Sequence, residues 1–230
     1  ATYTIEAMMK DHKALQSGTS HFFGDKFSRA YDVTFTGRDN TLQYPFQTSW
    51  GSSTRLIGAV IMTHGDNHGL VLPPVIAPTQ VVVIPIAQHK PGVLDAAAAL
   101  KDRLTAAGLR VAMDDSEQSA GWKFAQYEMK GVPLRVEIGP KDMEKEQCCV
   151  ARRDTGEKTF VPLAGLEDAI KGLLQDVHDN LYNMAAKNLE ENTFDMTDWQ
   201  EVKAMADGKG GLARTKWCGS LECELAMKEK

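Results

Sequence analysis

The chain has 230 residues, of which 43% are hydrophobic and 25% are charged, and its formal net charge is -5. This composition is typical of a soluble globular protein with one large domain or two to three small ones. No apolar run approaches the length of a membrane span, so we expect no membrane contact. The acidic balance is unusual for a nucleic-acid-binding protein, and any RNA contact must use locally concentrated basic groups.

The first 46 residues predict an amphipathic helix followed by a turn. The apolar positions of this helix include Ile5, Met8, Met9 and Leu15. Residues 16–24 then mix polar, glycine and aromatic residues, which breaks helical periodicity and is typical of a capped turn. By local pattern alone, His21 is an ordinary loop histidine.

Residues 48–74 predict a short buried helix, a turn and a short strand. Small hydroxyl residues favoured at helix N-termini precede an apolar face at helical spacing, so we expect a helix at about 54–62. Residues 65–67, Gly-Asp-Asn, have turn chemistry, and 70–72 predict a strand that ends at two prolines.

Arg55 lies in the first turn of this helix, where backbone N–H groups already favour an anion. An arginine at this point can contact a phosphate through two parallel hydrogen bonds. The alternative is a surface arginine that pairs with a carboxylate, which is common at helix starts.

After Pro78 the pattern changes to a new domain, in which strands and helices alternate. The sequence predicts strands at 79–86, 109–113, 134–138, 148–152 and 158–161, and helices at 93–104, at 118–130 and from about Leu166. We therefore expect a three-layer α/β domain with a mixed five-stranded sheet. Residues 123–158 contain eight basic and seven acidic residues, so no strong basic patch supports RNA binding independently.

The chain contains four cysteines, and their spacing is not that of a disulfide framework, which favours a reducing, cytoplasmic compartment. We interpret Cys148 and Cys149, on a predicted strand, as small buried apolar residues. Cys218 and Cys223 are spaced as half of a tetrahedral zinc site. The glycine-rich residues 207–211 lack the spacing of a phosphate loop and predict a flexible turn.

Three short segments of the sequence resemble one family. Residues 50–58, WGSSTRLIG, and 64–74, HGDNHGLVLPP, resemble motif 3 of class II aminoacyl-tRNA synthetases in its prolyl-tRNA synthetase form. Residues 13–21, KALQSGTSH, are similar to the segment that follows motif 2 in the same family. The resemblance implies that Gln16, Thr19, Ser53 and Arg55 contact ATP, with Arg55 the catalytic residue, and that His21 contacts proline.

The middle of the chain resembles the anticodon-binding domain of class IIa synthetases, again of the prolyl type. The similarity is carried by residues 121–124, GWKF, and 130–140, KGVPLRVEIGP. It implies that Glu128, Arg135 and Asp142 read the two guanines of the proline anticodon and that Lys158 is a further basic contact. Carboxylates can accept hydrogen bonds from guanine N1–H and N2–H₂, and arginine can donate to O6 and N7.

Near the end, residues 217–224, WCGSLECE, are similar to the C-terminal zinc domain of archaeal and eukaryotic-type prolyl-tRNA synthetases. In that family a second cysteine pair lies further downstream. We therefore expect Cys218 and Cys223 to form a weak or empty Zn²⁺ site.

The resemblance extends over essentially all of the sequence and implies three parts. These are the end of a class II antiparallel-sheet catalytic domain (1–78), an anticodon-binding domain (79–185) and the start of a zinc-binding-type domain (186–230). The implied whole enzyme is a homodimeric proline–tRNA ligase that uses ATP and Mg²⁺ to join L-proline to tRNA(Pro).

Motif 1, the motif 2 arginines and the acidic loop that reads the proline nitrogen have no counterpart in the sequence. We therefore expect this chain to be a C-terminal fragment that is not a competent synthetase by itself. The alternative is a non-catalytic tRNA-binding or regulatory module derived from such an enzyme.

Overall fold

The structure, a computed structural model, describes residues 1–228. It divides the chain into two compact units, Ala1–Ala59 with Lys187–Lys230, and Val60–Ala186. Within the described residues, helices long and apolar enough to cross a membrane are absent.

The first 59 residues contain a three-stranded antiparallel sheet in the order β1-β2-β5. Its strands and the short elements between them are β1 (Thr2–Met8), β2 (Ala14–Gly24), α1 (Lys26–Ala30), β3 (Phe35–Thr36), β4 (Leu42–Gln43) and β5 (Gln47–Gly51). The helix predicted at the start is therefore wrong, and so is the turn predicted at residues 16–24. Threonine, tyrosine and isoleucine at positions 2–5 favour a strand, and pairing with β2 outweighs the helical spacing of the apolar residues.

The pairing of β1 with β2 has one irregularity in its register. Ile5 pairs with Gly18 and Glu6 pairs with Gln16, so Ser17 has no partner residue on β1. This is a β-bulge, in which one extra residue on one strand shifts the alternation of its side chains.

Helix α2 (Arg55–His64) confirms the helix predicted at residues 54–62 to within two residues at its ends. The prediction that it is buried is wrong, because Ala59 is its one buried residue, whereas Ile57 is 64% exposed. Apolar spacing shows which face of a helix can be buried, but burial also needs a second surface to cover that face.

The unit Val60–Ala186 is built on a five-stranded sheet in the order β10-β9-β8-β6-β7. Its elements are β6 (Val81–Pro85), α3 (Val93–Ala106), β7 (Val111–Met113), α4 (Ala120–Met129), β8 (Leu134–Ile138), α5 (Pro140–Glu144), β9 (Gln147–Arg152), β10 (Lys158–Pro162) and α6 (Leu166–Glu191). Strand β6 is parallel to β7 and β8, whereas β9 is antiparallel to β8 and β10. The predicted mixed sheet is confirmed, and α5 is an additional short helix.

Helices cover both faces of this sheet and make three layers. On one face α3 and α6 pack against alternate strand residues, among them Val81, Val83, Leu134, Val136 and Val161. On the other face α4 places Phe124 and Tyr127 against Val82 and Ile84. Because strand side chains alternate, the residues of β8 between its core positions point toward the α4 side.

Residues 70–72 do not form the predicted strand. The backbone N–H groups of Leu70 and Leu72 instead donate to the carbonyl oxygens of Met129 and Gly131, at 3.0 and 3.3 Å. Gly131 has φ +70°, and a Cβ there would lie 2.6 Å from Leu70 Cβ, so a side chain would prevent this close approach.

The described chain ends with β11 (Thr193–Asp195), α7 (Trp199–Asp207), β12 (Leu212–Arg214) and α8 (Leu221–Lys228). Strands β11 and β12 pair in parallel. The turn predicted at residues 207–211 follows α7. Within this turn Gly211 N–H donates to His12 O at 2.8 Å, and a Cβ on Gly210 would lie 2.9 Å from the same oxygen.

Candidate functional site

Arg135 and Lys158 lie on the α4 side of the sheet, in one row across three strands. Arg135 on β8 pairs with Ala151 on β9, which pairs with Lys158 on β10. Residues directly opposite in neighbouring strands point to the same face. We call this surface the β8–β10 face and define it by Arg135, Glu137, Cys149, Ala151, Lys158 and Phe160.

The Arg135 guanidinium is held in one orientation by three neighbours. Its Nε donates to Glu137 Oε1 at 3.0 Å, and its Nη1 donates to Glu128 Oε1 at 3.0 Å. The guanidinium also lies over the Phe124 ring, 4.0 Å from the centroid. Arg135 is 8% exposed, as is Glu137, so this is a buried ion pair at the edge of an open surface.

Lys158 is part of this surface, whereas Asp142 is on α5, the short helix that follows β8. Lys158 Nζ lies 2.9 Å from Glu137 Oε1 and 3.1 Å from Oε2, and it shares that carboxylate with Arg135. Asp142 Oδ2 accepts a hydrogen bond from Gly139 N–H at 3.0 Å and caps α5. The structure thus joins Glu128, Arg135 and Lys158 in one network, whereas Asp142 is outside it.

Cys149 lies among these charged groups. Burial raises the pKa of the Cys149 thiol, and the charges of Glu137, Lys158, Asp142 and Arg135 also act on it. Burial also raises the pKa of Cys148, to about 12. Both thiols are buried and free, which agrees with their interpretation as small apolar residues.

A cavity of about 360 Å³ opens beside Glu128 and Arg135. On its other side Arg153 donates to both carboxylate oxygens of Asp66, at 2.7 and 2.6 Å, and its Nε donates to Glu128 O at 2.9 Å. Sequence reasoning missed this ion pair, since it assigned only turn chemistry to Asp66. No local signal could find it, because the partners are 87 residues apart in the chain.

The Asp66 pair predicts a dependence of stability on pH. The two hydrogen bonds from Arg153 hold the pKa of the Asp66 carboxyl well below its ordinary value. A carboxyl group whose pKa is lowered in the folded state stabilises the protein at pH values above its ordinary pKa of about 4. This stabilisation is lost as the pH falls from about 4 toward the lower pKa of the folded state. Because the Asp66 side chain is 39% exposed, we expect Asp66→Asn to cost only about 1 kcal/mol of unfolding free energy at pH 7.

Urea unfolding of the wild type and Asp66→Asn at pH 7 and pH 3 measures this effect, and the difference between them should shrink at pH 3. Glu117→Gln, at an exposed position, is the matched control. An equal difference at both pH values contradicts the expectation.

Three of the residues predicted to contact ATP and proline, Gln16, Thr19 and His21, lie on strand β2 of the first sheet. Thr2, Thr4 and Glu6 of β1 pair with His21, Thr19 and Gln16 of β2. Alternate residues of β1 share a face, so their three partners share it as well. Without the bulge at Ser17, Gln16 and Thr19 would point to opposite faces.

Arg55 extends from the start of α2 back to β2. Its Nη1 donates to Gln16 O at 3.4 Å, and its backbone N–H donates to Ser53 Oγ at 3.3 Å. His21 Nδ1 lies 3.0 Å from Thr2 Oγ1, and its ring stacks on Phe23. Arg55 and Gln16 are exposed, so the guanidinium and the amide can reach a ligand.

Cys218 and Cys223 are exposed and lie close to each other. A hydrogen bond from the Ser220 backbone, with a second from the Cys223 thiol, lowers the pKa of Cys218, and the Cys218 thiol raises the pKa of Cys223. Across residues 1–228, groups of three or more His, Cys, Asp or Glu side chains arranged for a metal are absent. The described chain thus brings together two potential zinc ligands.

Comparison with known proteins gives one family model and several close relatives. Residues 80–173 match the model described as "Anticodon binding domain". The chain is 52% identical over 230 residues to "Proline--tRNA ligase 2" of a strain of Bacillus cereus. It is 54% identical to "Proline--tRNA ligase" of Ruminiclostridium cellulolyticum and to "Proline--tRNA ligase" of Acetoanaerobium sticklandii. Each alignment covers 100% of this chain and 48% of the relative.

The chain spans about half the length of the curated relatives that it matches. The resemblance inferred from the motifs is confirmed, since the alignments with these relatives cover the whole chain and residues 80–173 match an anticodon-binding domain.

Proposed function

We propose that this chain, related over its full length to prolyl-tRNA synthetases, is part of a proline–tRNA ligase and supplies its anticodon-reading surface. The observation that carries the proposal is Arg135, fixed between Glu128 and Glu137 at the open edge of the anticodon-binding domain. A fixed guanidinium donates to guanine with little further loss of conformational entropy.

For anticodon reading we assign Glu128, Arg135 and Asp142 to the two guanines of the tRNA(Pro) anticodon, and Lys158 to a further basic contact with the RNA. Splayed loop bases expose the Watson–Crick and Hoogsteen edges that carboxylates and arginine can read. Lys158 supplies positive charge on β10, at the edge of the β8–β10 face. The near balance of acidic and basic residues makes this surface suited to base recognition rather than to general attraction of RNA.

For amino-acid activation we assign Gln16, Thr19, Ser53 and Arg55 to ATP and His21 to L-proline. The proline carboxylate attacks the α-phosphate of ATP and displaces pyrophosphate, which gives prolyl-adenylate. A hydroxyl at the 3′ end of tRNA then takes the prolyl group and AMP leaves. The protein positions the reactants, and Arg55 neutralises the charge that develops on the phosphate. Bound Mg²⁺ supplies further charge neutralisation at the phosphates.

We assign three domains from the resemblance to prolyl-tRNA synthetases. Residues 1–78 end a class II catalytic domain, 79–185 are the anticodon-binding domain, and 186–230 begin a zinc-binding-type domain. The antiparallel sheet of the first 59 residues supports the first assignment. The whole enzyme is proposed to be a cytoplasmic homodimer.

The second candidate is a non-catalytic tRNA-binding module, because the anticodon-binding domain match would serve such a function by itself. Clustering of Gln16, Thr19 and Arg55 near one another favours the synthetase, since a module that binds only tRNA has no need of them.

Intact mass and activity of the natural protein separate the two candidates. A protein much heavier than 25.3 kDa that exchanges pyrophosphate into ATP in the presence of proline supports the synthetase. A protein of that mass with no such exchange supports the tRNA-binding module.

Zinc binding by this chain is expected to be weak. Two thiolates provide half of a tetrahedral site, and solvent must fill the remaining positions. We expect the purified chain to lose Zn²⁺ on dialysis against a mild chelator and to unfold at the same temperature as Cys218→Ser. Stoichiometric zinc that survives dialysis, with a lower melting temperature for Cys218→Ser, would contradict this.

A further inference from the structure

An exposed phenylalanine lies at the edge of the β8–β10 face. Phe160 is on β10, an edge strand, and 61% of its surface is exposed. The next residue, Val161, packs in the core on the opposite face. Strand alternation therefore places Phe160 beside Lys158 on the open side.

Charged residues share this face with Phe160. Phe160 pairs with Cys149, and Cys149 pairs with Glu137 on β8. The next row of the same face contains Lys158, Ala151 and Arg135. Phe160 thus lies one row away from Lys158 and Arg135, two of the residues assigned to the anticodon.

An aromatic ring exposed on a sheet face presents a flat apolar surface on which a planar ligand can stack. Phe124, the neighbouring aromatic, has its ring covered by Arg135 at 4.0 Å and approached by Lys158 Nζ at 5.2 Å. A flat apolar face next to cationic groups suits an unpaired nucleobase, which has a π face above an anionic backbone.

We propose that Phe160 is a stacking platform for an unpaired base of the RNA loop bound at the β8–β10 face. The inference rests on the function proposed above and adds to it a contact that acts on the face of a base, not on its edge. Phe160 therefore contributes affinity, whereas Arg135 contributes the choice of base.

The test measures binding of this chain to an RNA hairpin that carries the anticodon loop of tRNA(Pro). We expect Phe160→Ala to bind roughly 5- to 100-fold more weakly, because stacking on an aromatic ring is lost. Phe160→Trp should bind within about twofold of the wild type, and Phe160→Leu should behave like the alanine variant. Tyr182→Ala is the matched control, since Tyr182 is 69% exposed on α6, which packs against the other face.

Hairpins with one abasic loop position at a time identify the stacked base. For the hairpin that lacks this base, the wild type and Phe160→Ala should have equal affinity. Phe160→Ala should also leave the salt dependence of binding unchanged, whereas Lys158→Ala should reduce its slope by about one.

The outcomes separate this inference from the proposed function. If Phe160→Ala binds like the wild type while Arg135→Ala loses its preference for the guanines, the stacking role is wrong and the function stands. If neither variant changes RNA binding, the anticodon-reading function fails as well.

Discussion

Replacing Arg55 with alanine is expected to reduce proline-dependent pyrophosphate exchange at least about 100-fold in the full-length protein that contains this chain. The guanidinium lies at the start of α2 and reaches the β2 strand that carries Gln16 and Thr19. Under the proposed function, this change removes a cation from the α-phosphate, and with it the stabilisation of the charge that develops during attack. The effect should appear in kcat as well as in the KM for ATP.

Two control variants sharpen this measurement. Arg55→Lys keeps the charge but loses the planar pair of donors, so it should recover only part of the activity. Arg38→Ala removes another exposed arginine of the first 59 residues and should leave the exchange rate unchanged. Activity of Arg55→Ala equal to that of Arg38→Ala would show that Arg55 is an ordinary surface arginine.

Replacing Arg135 with alanine is expected to lower both stability and anticodon discrimination. The change removes the ion pair of Arg135 with the buried Glu137 carboxylate, which keeps Lys158 as its remaining partner. We expect loss of this ion pair to lower the free energy of unfolding by about 2 to 3 kcal/mol. Discrimination against loops with altered guanines should fall by about 1–3 kcal/mol, because a two-point base contact is lost. Urea unfolding and RNA titration measure the two effects separately.

The double variant Arg135→Ala with Glu137→Gln separates structure from recognition. It removes the uncompensated charge, so most of the stability should return, whereas the preference for the guanines should stay lost. Retention of the full preference in the single variant would remove Arg135 from base reading.

The α/β half of the chain could be predicted closely from the sequence, and the first sheet could not. For β8, Leu134–Ile138, the bounds follow from the sequence alone, because alternating apolar residues between Pro133 and Gly139 define a strand. In β1, Ile5 and Met8 are spaced as in a helix. The partner that makes them a strand lies beyond a turn, in β2, and local periodicity does not include it.

The candidate site shows the same division. Motif resemblance predicted Arg55 and Arg135. Two structural features near these arginines could not be predicted, because each depends on pairing between residues that are distant in the sequence. One is the bulge at Ser17, which brings Gln16 and Thr19 to one face. The other is the ion pair of Arg153 with Asp66, which also holds the Glu128 carbonyl. Neither feature has a local sequence signature.

The most direct test of the account is the affinity of the unmodified chain for two RNA hairpins. One carries the tRNA(Pro) anticodon loop, and the other has both guanines of the anticodon replaced by adenines. We expect at least about tenfold tighter binding of the first at the same salt concentration, since each misread base costs about 1–3 kcal/mol. Equal affinities would contradict anticodon reading by the β8–β10 face.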